Sequence, residues 1–154
     1  MLARSRVAAP SELELPRLSL KIRMEHLGPT RWCGSNHEST SGLAHPTREV
    51  VRDSTRWAVA WPHTQDNAAA RLPAVDFTKH MVVIVGLGSK PTTGYDIMVD
   101  SAAIRQSEQL IFVQITSNDS CPGGAMLTRP VDVVQVPRSR LPVRFIEDTV
   151  QVKC

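Results

Sequence analysis

At 154 residues the chain has the length of one ordinary domain with a tail to spare. A hydrophobic fraction of 42% is enough for a real core and excludes wholesale disorder, and a net charge of +3, spread among acids, singles out no particular partner. No apolar run approaches the ~20 residues of a membrane span.

The N-terminal stretch M-L-A-R-S-R-V-A-A-P-S-E lacks the ~7–15 apolar residues of a secretory leader. Either the chain stays in the cytoplasm, or its start is misplaced or a leader has been removed, and the sequence leaves these open. Residues 1–16 are rich in Ala, Arg, Pro and Glu and are broken by Pro10 and Pro16, so a flexible lead-in is expected ahead of a single domain over 17–154. In L-S-L-K-I-R-M, Leu18, Leu20, Ile22 and Met24 alternate with polar residues, which predicts a half-buried strand. Residues 28–46 are polar and turn-rich and predict a loop that Trp32 docks. A short extended piece over 49–53 follows. Asp53 or Ser54 then caps a short helix, Trp57 and Trp61 share one of its faces, and Pro62 ends it. The two tryptophans suit an apolar plug closing one end of a sheet better than an aromatic ligand platform. Residues 63–74 form a connection.

Four strand-like runs come next: Met81 to Leu87, then Tyr95, Ile97 and Val99 alternating with Asp96, Met98 and Asp100, then 109–117, then 129–137. P-V-R-F-I and T-V-Q-V-K supply one or two more. Turn signals K-P-T-T-G, R-Q-S-E-Q and N-D-S-C-P-G-G separate the runs by about ten residues. The rhythm predicts a mainly all-β domain: an antiparallel immunoglobulin-like sandwich or rolled sheet with one short helix and no βαβ crossover in the C-terminal half. The arginines of P-R-S-R-L-P-V-R (137–144) have no aromatic partners for bases to stack on and read as a solvated face, so no nucleic-acid partner is expected.

Candidate chemistry is sparse. His26, His37, His45, His63 and His80 share no metal-ligand spacing, and Cys33 with His37 forms an isolated C-x-x-x-H, so neither metal nor cofactor is expected. Cys33, Cys121 and Cys154 are odd in number and lack C-x-x-C. One bridge, for instance Cys33 to Cys121, is open to an exported chain. Cys121, beside Pro122, Gly123 and Gly124, is the first candidate for a reactive thiol, but no histidine is positioned by sequence to activate it. Asp96 and Asp100 share a strand face and read as solvated.

The stretch G-S-K-P-T-T-G-Y (88–95) resembles a phosphate loop and fails the comparison. A P-loop needs lysine directly after its second glycine, whereas Tyr95 follows Gly94, and the sequence beyond it has strand rather than helix periodicity. As backbone it reads well. Pro91 fixes φ, Gly94 takes φ > 0 freely, and Thr92 and Thr93 bond back onto the turn. A stiff tip of this kind loses little freedom on docking. Ser89, Lys90, Pro91, Thr92, Thr93, Gly94 and Tyr95 are therefore candidate partner-binding residues, with Cys121, Pro122, Gly123 and Gly124 adjoining. On that reading, alanine at Thr93 and Gly94 abolishes binding and spares stability.

The run V-D-F-T-K-H-M-V-V-I-V-G-L-G-S-K-P-T-T-G-Y-D-I-M-V resembles the C-terminal domain of PrcB-like proteins, the protease-complex stability proteins. So do the later S-C-P-G-G-A-M-L-T-R-P-V-D-V-V-Q-V-P-R-S and the upstream S-G-L-A-H-P-T-R-E-V-V-R-D-S-T-R-W-A-V-A-W. The resemblance runs from about Ser41 to Phe145, with a core at about 75–145. It implies a small, non-catalytic β-rich domain that binds a protein partner, a protease it stabilises or regulates, in an exported or periplasmic setting. K-P-T-T-G-Y is also similar to the turn that chagasin-type inhibitors insert into a cysteine-protease cleft. The inhibitors' other two loops are poorly matched: Pro122-Gly123-Gly124 lies close to Arg129-Pro130, and valine follows where those proteins have tryptophan.

Overall fold

The computed structural model describes residues 19–27, 41–66, 70–119, 121 and 123–154. The expected lead-in, Leu18, Trp32, Cys33, His37 and Pro122 lie outside the described residues. Among the described residues eight strands form two four-stranded sheets. One sheet runs β1 (Ser19–Ile22), β5 (Asp96–Arg105), β6 (Glu108–Ser117), β8 (Val143–Gln151). The other runs β2 (Glu25–His26), β7 (Val131–Pro137), β4 (His80–Gly86), β3 (Thr47–Val51). The result is an all-β sandwich with one short helix, as the turn rhythm predicts.

Side-chain alternation builds the space between the sheets. Met81, Val83 and Val85 of β4, Val134 and Val136 of β7, Ile97, Val99 and Ala102 of β5, and Ile111 and Val113 of β6 form one buried cluster. The intervening residues of β4 and β7 are apolar too. Val82, Ile84 and Val133 face the other way and pack under helix α1 (Ser54–Ala60) with Trp57, Ala60 and Trp61. β4 is therefore an unbroken apolar run because both its faces are covered. Asp53 caps α1, its carboxylate accepting the Arg56 N–H at 2.7 Å. The indoles of Trp57 and Trp61 donate to the Pro73 and Ala70 carbonyls. The tryptophans are indeed a plug, but they cover the outer face of a sheet rather than its end. Nor does Pro62 stop the coil: it sits in the first turn of a 3-10 segment (Trp61–Thr64) that continues from α1, a place where a missing N–H costs nothing.

Two further expectations are corrected. The run 18–24 is not one strand: β1 ends at Ile22, β2 begins at Glu25 in the other sheet, and Leu20 is 67% exposed while Ile22 and Met24 reach the core. The sandwich is not wholly antiparallel either, since β8 pairs with β6 in parallel. Between them the chain crosses to the opposite sheet as β7 and returns, so no helical crossover is needed. Of the one or two strands left open near the end, P-V-R-F-I and T-V-Q-V-K form one, β8.

Two features lock the sheets together. The register of β5 on β6 slips between Val99 and Ser101, leaving Asp100 as an extra residue. Inward-facing positions then change from odd (Ile97, Val99) to even (Ala102). Beside this bulge Asp132, on β7 of the other sheet, is buried, and its carboxylate accepts the Val99 N–H at 2.8 Å, the Val133 N–H at 2.9 Å and a contact from His26 Nδ1 at 3.0 Å. At the open side Arg48 of β3 pairs with Glu147 of β8. No helix among the described residues is long and apolar enough to cross a membrane.

Candidate partner-binding loops

Residues 87–95 carry the chain from β4 to β5, and residues 118–130 carry it from β6 to β7. Both loops cross between the sheets, and β4 pairs with β7 as β5 does with β6. Strand pairing thus brings the two crossovers side by side, joining groups more than twenty residues apart in sequence.

Their backbones are latched. Lys90 N–H donates to the Thr128 carbonyl at 2.8 Å and Thr128 N–H to the Lys90 carbonyl at 2.9 Å, a one-pair antiparallel bridge. Thr93 N–H donates to the Gly124 carbonyl at 3.1 Å, and Gly124 N–H returns to Thr93 Oγ1 at 2.9 Å. Asn118 Nδ2 donates to the Thr93 carbonyl at 2.9 Å, and Thr128 Oγ1 to the Thr92 carbonyl at 3.1 Å. Lys90 and Thr93 thus have both backbone polar groups bonded across the seam, and Thr92 its carbonyl, which pins the tip to the second loop.

Gly94 is a structural requirement of this latch. Its φ is +92°, and a Cβ there would lie 2.4 Å from Asn118 Nδ2. A Cβ on Gly123 would meet the Thr93 carbonyl oxygen at 2.7 Å. The expectation that Thr93 and Gly94 tolerate alanine without loss of stability is accordingly wrong. Thr93 supplies the acceptor for Gly124, and Gly94 leaves the room that Asn118 occupies.

At the foot of the tip, Tyr95 hydroxyl donates to Asp119 Oδ1 at 2.7 Å, and Ser117 hydroxyl to Asp119 Oδ2 at 2.7 Å. The two hydroxyls, Ser117 first, hold the Asp119 carboxyl below its ordinary value. The bond to Asp119 in turn pushes the Tyr95 phenol up. Lys90 Nζ stands over the Tyr95 ring, 5.1 Å from its centre. Arg129 Nε reaches Ser89 Oγ at 3.2 Å.

Cys121 is joined to Cys154. This overturns the reading of Cys121 as a free thiol and the suggested bridge to Cys33. The disulfide ties the chain beyond β8 to the second loop, and Val152 N–H donates to the Ser117 carbonyl at 2.8 Å beside it. Asp100 is exposed, as expected, with Ser101 hydroxyl on it at 3.2 Å, whereas Asp96 is half-buried rather than solvated.

The structure thus brings together all the described candidates: Ser89, Lys90, Pro91, Thr92, Thr93, Gly94 and Tyr95 from one loop, and Cys121, Gly123 and Gly124 from the other. Ser89, Pro91, Gly94 and residues 124–127 are exposed at the surface. Sequence reasoning missed Asn118, Asp119 and Thr128, which hold the seam. It also missed Met126 and Leu127, 41% and 55% exposed, which add apolar surface beside it. Leu127 and Arg129 continue into an open groove of about 310 Å³ shared with Ser41, Gly42, Gln65 and Asp66.

These features define a class: a small β-sandwich domain whose latched crossover loops offer a stiff, partly apolar platform at one end. Residues 81–137, from β4 through both loops to the end of β7, match the family model described as PrcB C-terminal, which supports a PrcB-like assignment for this segment. No curated protein and no solved structure matches the chain.

Proposed function

We propose that this domain is non-catalytic and binds a protein, stabilising or regulating a partner protease through the exposed rim of the two latched loops. The family name of the matched segment points to a protease-associated role. The observation that carries the reading is the double backbone latch, Lys90 with Thr128 and Thr93 with Gly124, which fixes a tip presenting Ser89 and Pro91 beside Met126 and Leu127. A surface that is rigid before contact loses little entropy on docking, and apolar anchors beside polar groups suit a protein partner. The disulfide at Cys121 removes the one thiol that an enzymatic reading would use.

Pro91→Arg and Leu127→Arg place bulk and charge on exposed positions without touching the latch. The test captures proteins on wild-type and variant domains, assays the eluates for peptidase activity, and follows how long that activity survives. A protease held and prolonged by wild type, and lost with both variants, supports the reading. Equal recovery with all three defeats the assignment of the surface, and recovery of no peptidase defeats the function. If a papain-like enzyme is blocked rather than prolonged, the domain is a direct inhibitor instead.

A further inference from the structure

Among the described residues the sandwich has four edge strands, and three are short: β1, β2 and β3 have 4, 2 and 5 residues. The fourth, β8, is 9 residues long and, among the described residues, pairs on one side only, with β6. No backbone hydrogen bond from a described residue reaches its outer edge, and Arg144 and residues 147–151 are exposed. Natural edges of this length are blunted by proline, charged side chains, a bulge or a cover. The strand V-R-F-I-E-D-T-V-Q has no proline, its pairing to β6 runs without a break, and its charges, Arg144, Glu147 and Asp148, are of both signs, so they oppose some pairings and favour others.

We propose that β8 is a self-association edge, pairing antiparallel with β8 of a second copy of this chain about a two-fold axis through Ile146. The charges choose the register. Val143 and Phe145 pack against the core, so Arg144, Ile146 and Asp148 lie on the outer face. A continuous sheet with both cores on the same side must pair residues of equal parity. Centring the axis on Ile146 sets Ile146 opposite its own copy and Arg144 opposite Asp148 of the second copy, twice over. Centring it on Glu147 or Asp148 sets like charges face to face, and centring it on Phe145 leaves Arg144 opposite Ile146. Glu147 keeps its ion pair with Arg48 in the favoured register, since it stands across from Phe145. Arg144 already reaches Glu108 at 3.1 Å through an exposed pair, and that arrangement leaves its guanidinium free to share.

Sedimentation equilibrium of the full chain over a wide concentration range tests the proposal. Wild type is expected to dimerise reversibly. Arg144→Asp or Asp148→Arg alone turns two attractive cross-strand pairs repulsive and is expected to weaken the dimer at least about tenfold. The double swap Arg144→Asp with Asp148→Arg restores complementarity and is expected to restore the dimer, with circular dichroism checking that each variant folds. A wild type that stays monomeric throughout overturns the proposal. So does a dimer indifferent to the single changes, or one that the double swap fails to recover.

Discussion

Two side chains and a missing one decide how the candidate site behaves. At Gly94 the absent Cβ admits Asn118, and a left-handed φ of +92° adds a second reason for glycine. Gly94→Ala is expected to cost about 1–3 kcal/mol of stability, read from urea unfolding. Ser89→Ala, at an exposed hydroxyl of the same loop, is expected to stay within about 0.5 kcal/mol. Equal effects would mean that the seam is not the rigid part. Tyr95 is the single tyrosine of the chain, so tyrosinate absorbance reports on it alone. Its phenol is pushed above the ordinary 10.0 by Asp119, so this bond contributes fully below 10.0 and is lost as pH climbs through the raised value. Asp119 is shifted the other way, from 3.8 downward, so its share is present above 3.8 and is lost as pH falls through the lowered value. Asp119→Ala is expected to bring the tyrosine titration back toward 10.0. An unmoved titration would place the Tyr95 hydroxyl elsewhere.

At the scale of elements, what was legible follows from what local pattern encodes. β4, β6 and β7 are apolar runs between turn signals, and Asp53 announces the helix, so these were readable. The exchange of inward parity at Asp100 was not, because a bulge is visible only against the strand it pairs with. For the same reason the sequence leaves open whether P-V-R-F-I and T-V-Q-V-K are one strand or two. The polar E-D between them interrupts the pattern, while β6 supplies an unbroken row of partners. The tip's shape was legible in Pro91 and Gly94. Its latch was not, because Asn118 and Thr128 bond across 25 and 36 residues. Three cysteines allow three pairings, and only the return of β8 beside β6 selects Cys121 with Cys154, a separation of 33 residues. Opening a loop of that length by Cys154→Ser is expected to cost about 2–4 kcal/mol. Wild type unfolded in a dithiol reductant should match the variant, and both should show faster amide exchange at Gly124. If reduction leaves stability unchanged, the disulfide only decorates an end that the Val152 to Ser117 bond already holds.

For the whole molecule the question is what makes two sheets one body. Apolar burial between them supplies attraction but no alignment, since Val, Ile and Met contacts are non-directional. Alignment comes from Asp132, which stands on one sheet and accepts the Val99 N–H of the other beside the bulge. The bulge and the carboxylate therefore act together. The extra residue at Asp100 breaks the local ladder of β5, and Asp132 takes an amide next to the break. Exposed pairs such as Arg144 with Glu108 are worth little by comparison. Asp132→Ala strips the acceptor from two backbone N–H groups at a position only 6% exposed, and is expected to cost about 2–4 kcal/mol. Glu108→Ala is expected to cost under about 1 kcal/mol. Hydrogen exchange separates alignment from mere stability. If Asp132 sets the docking of the sheets, its loss opens Val99 to exchange well before the β4–β7 ladder. If Val99 and that ladder are exposed together, the apolar core alone holds the sheets in place and the carboxylate is a passenger.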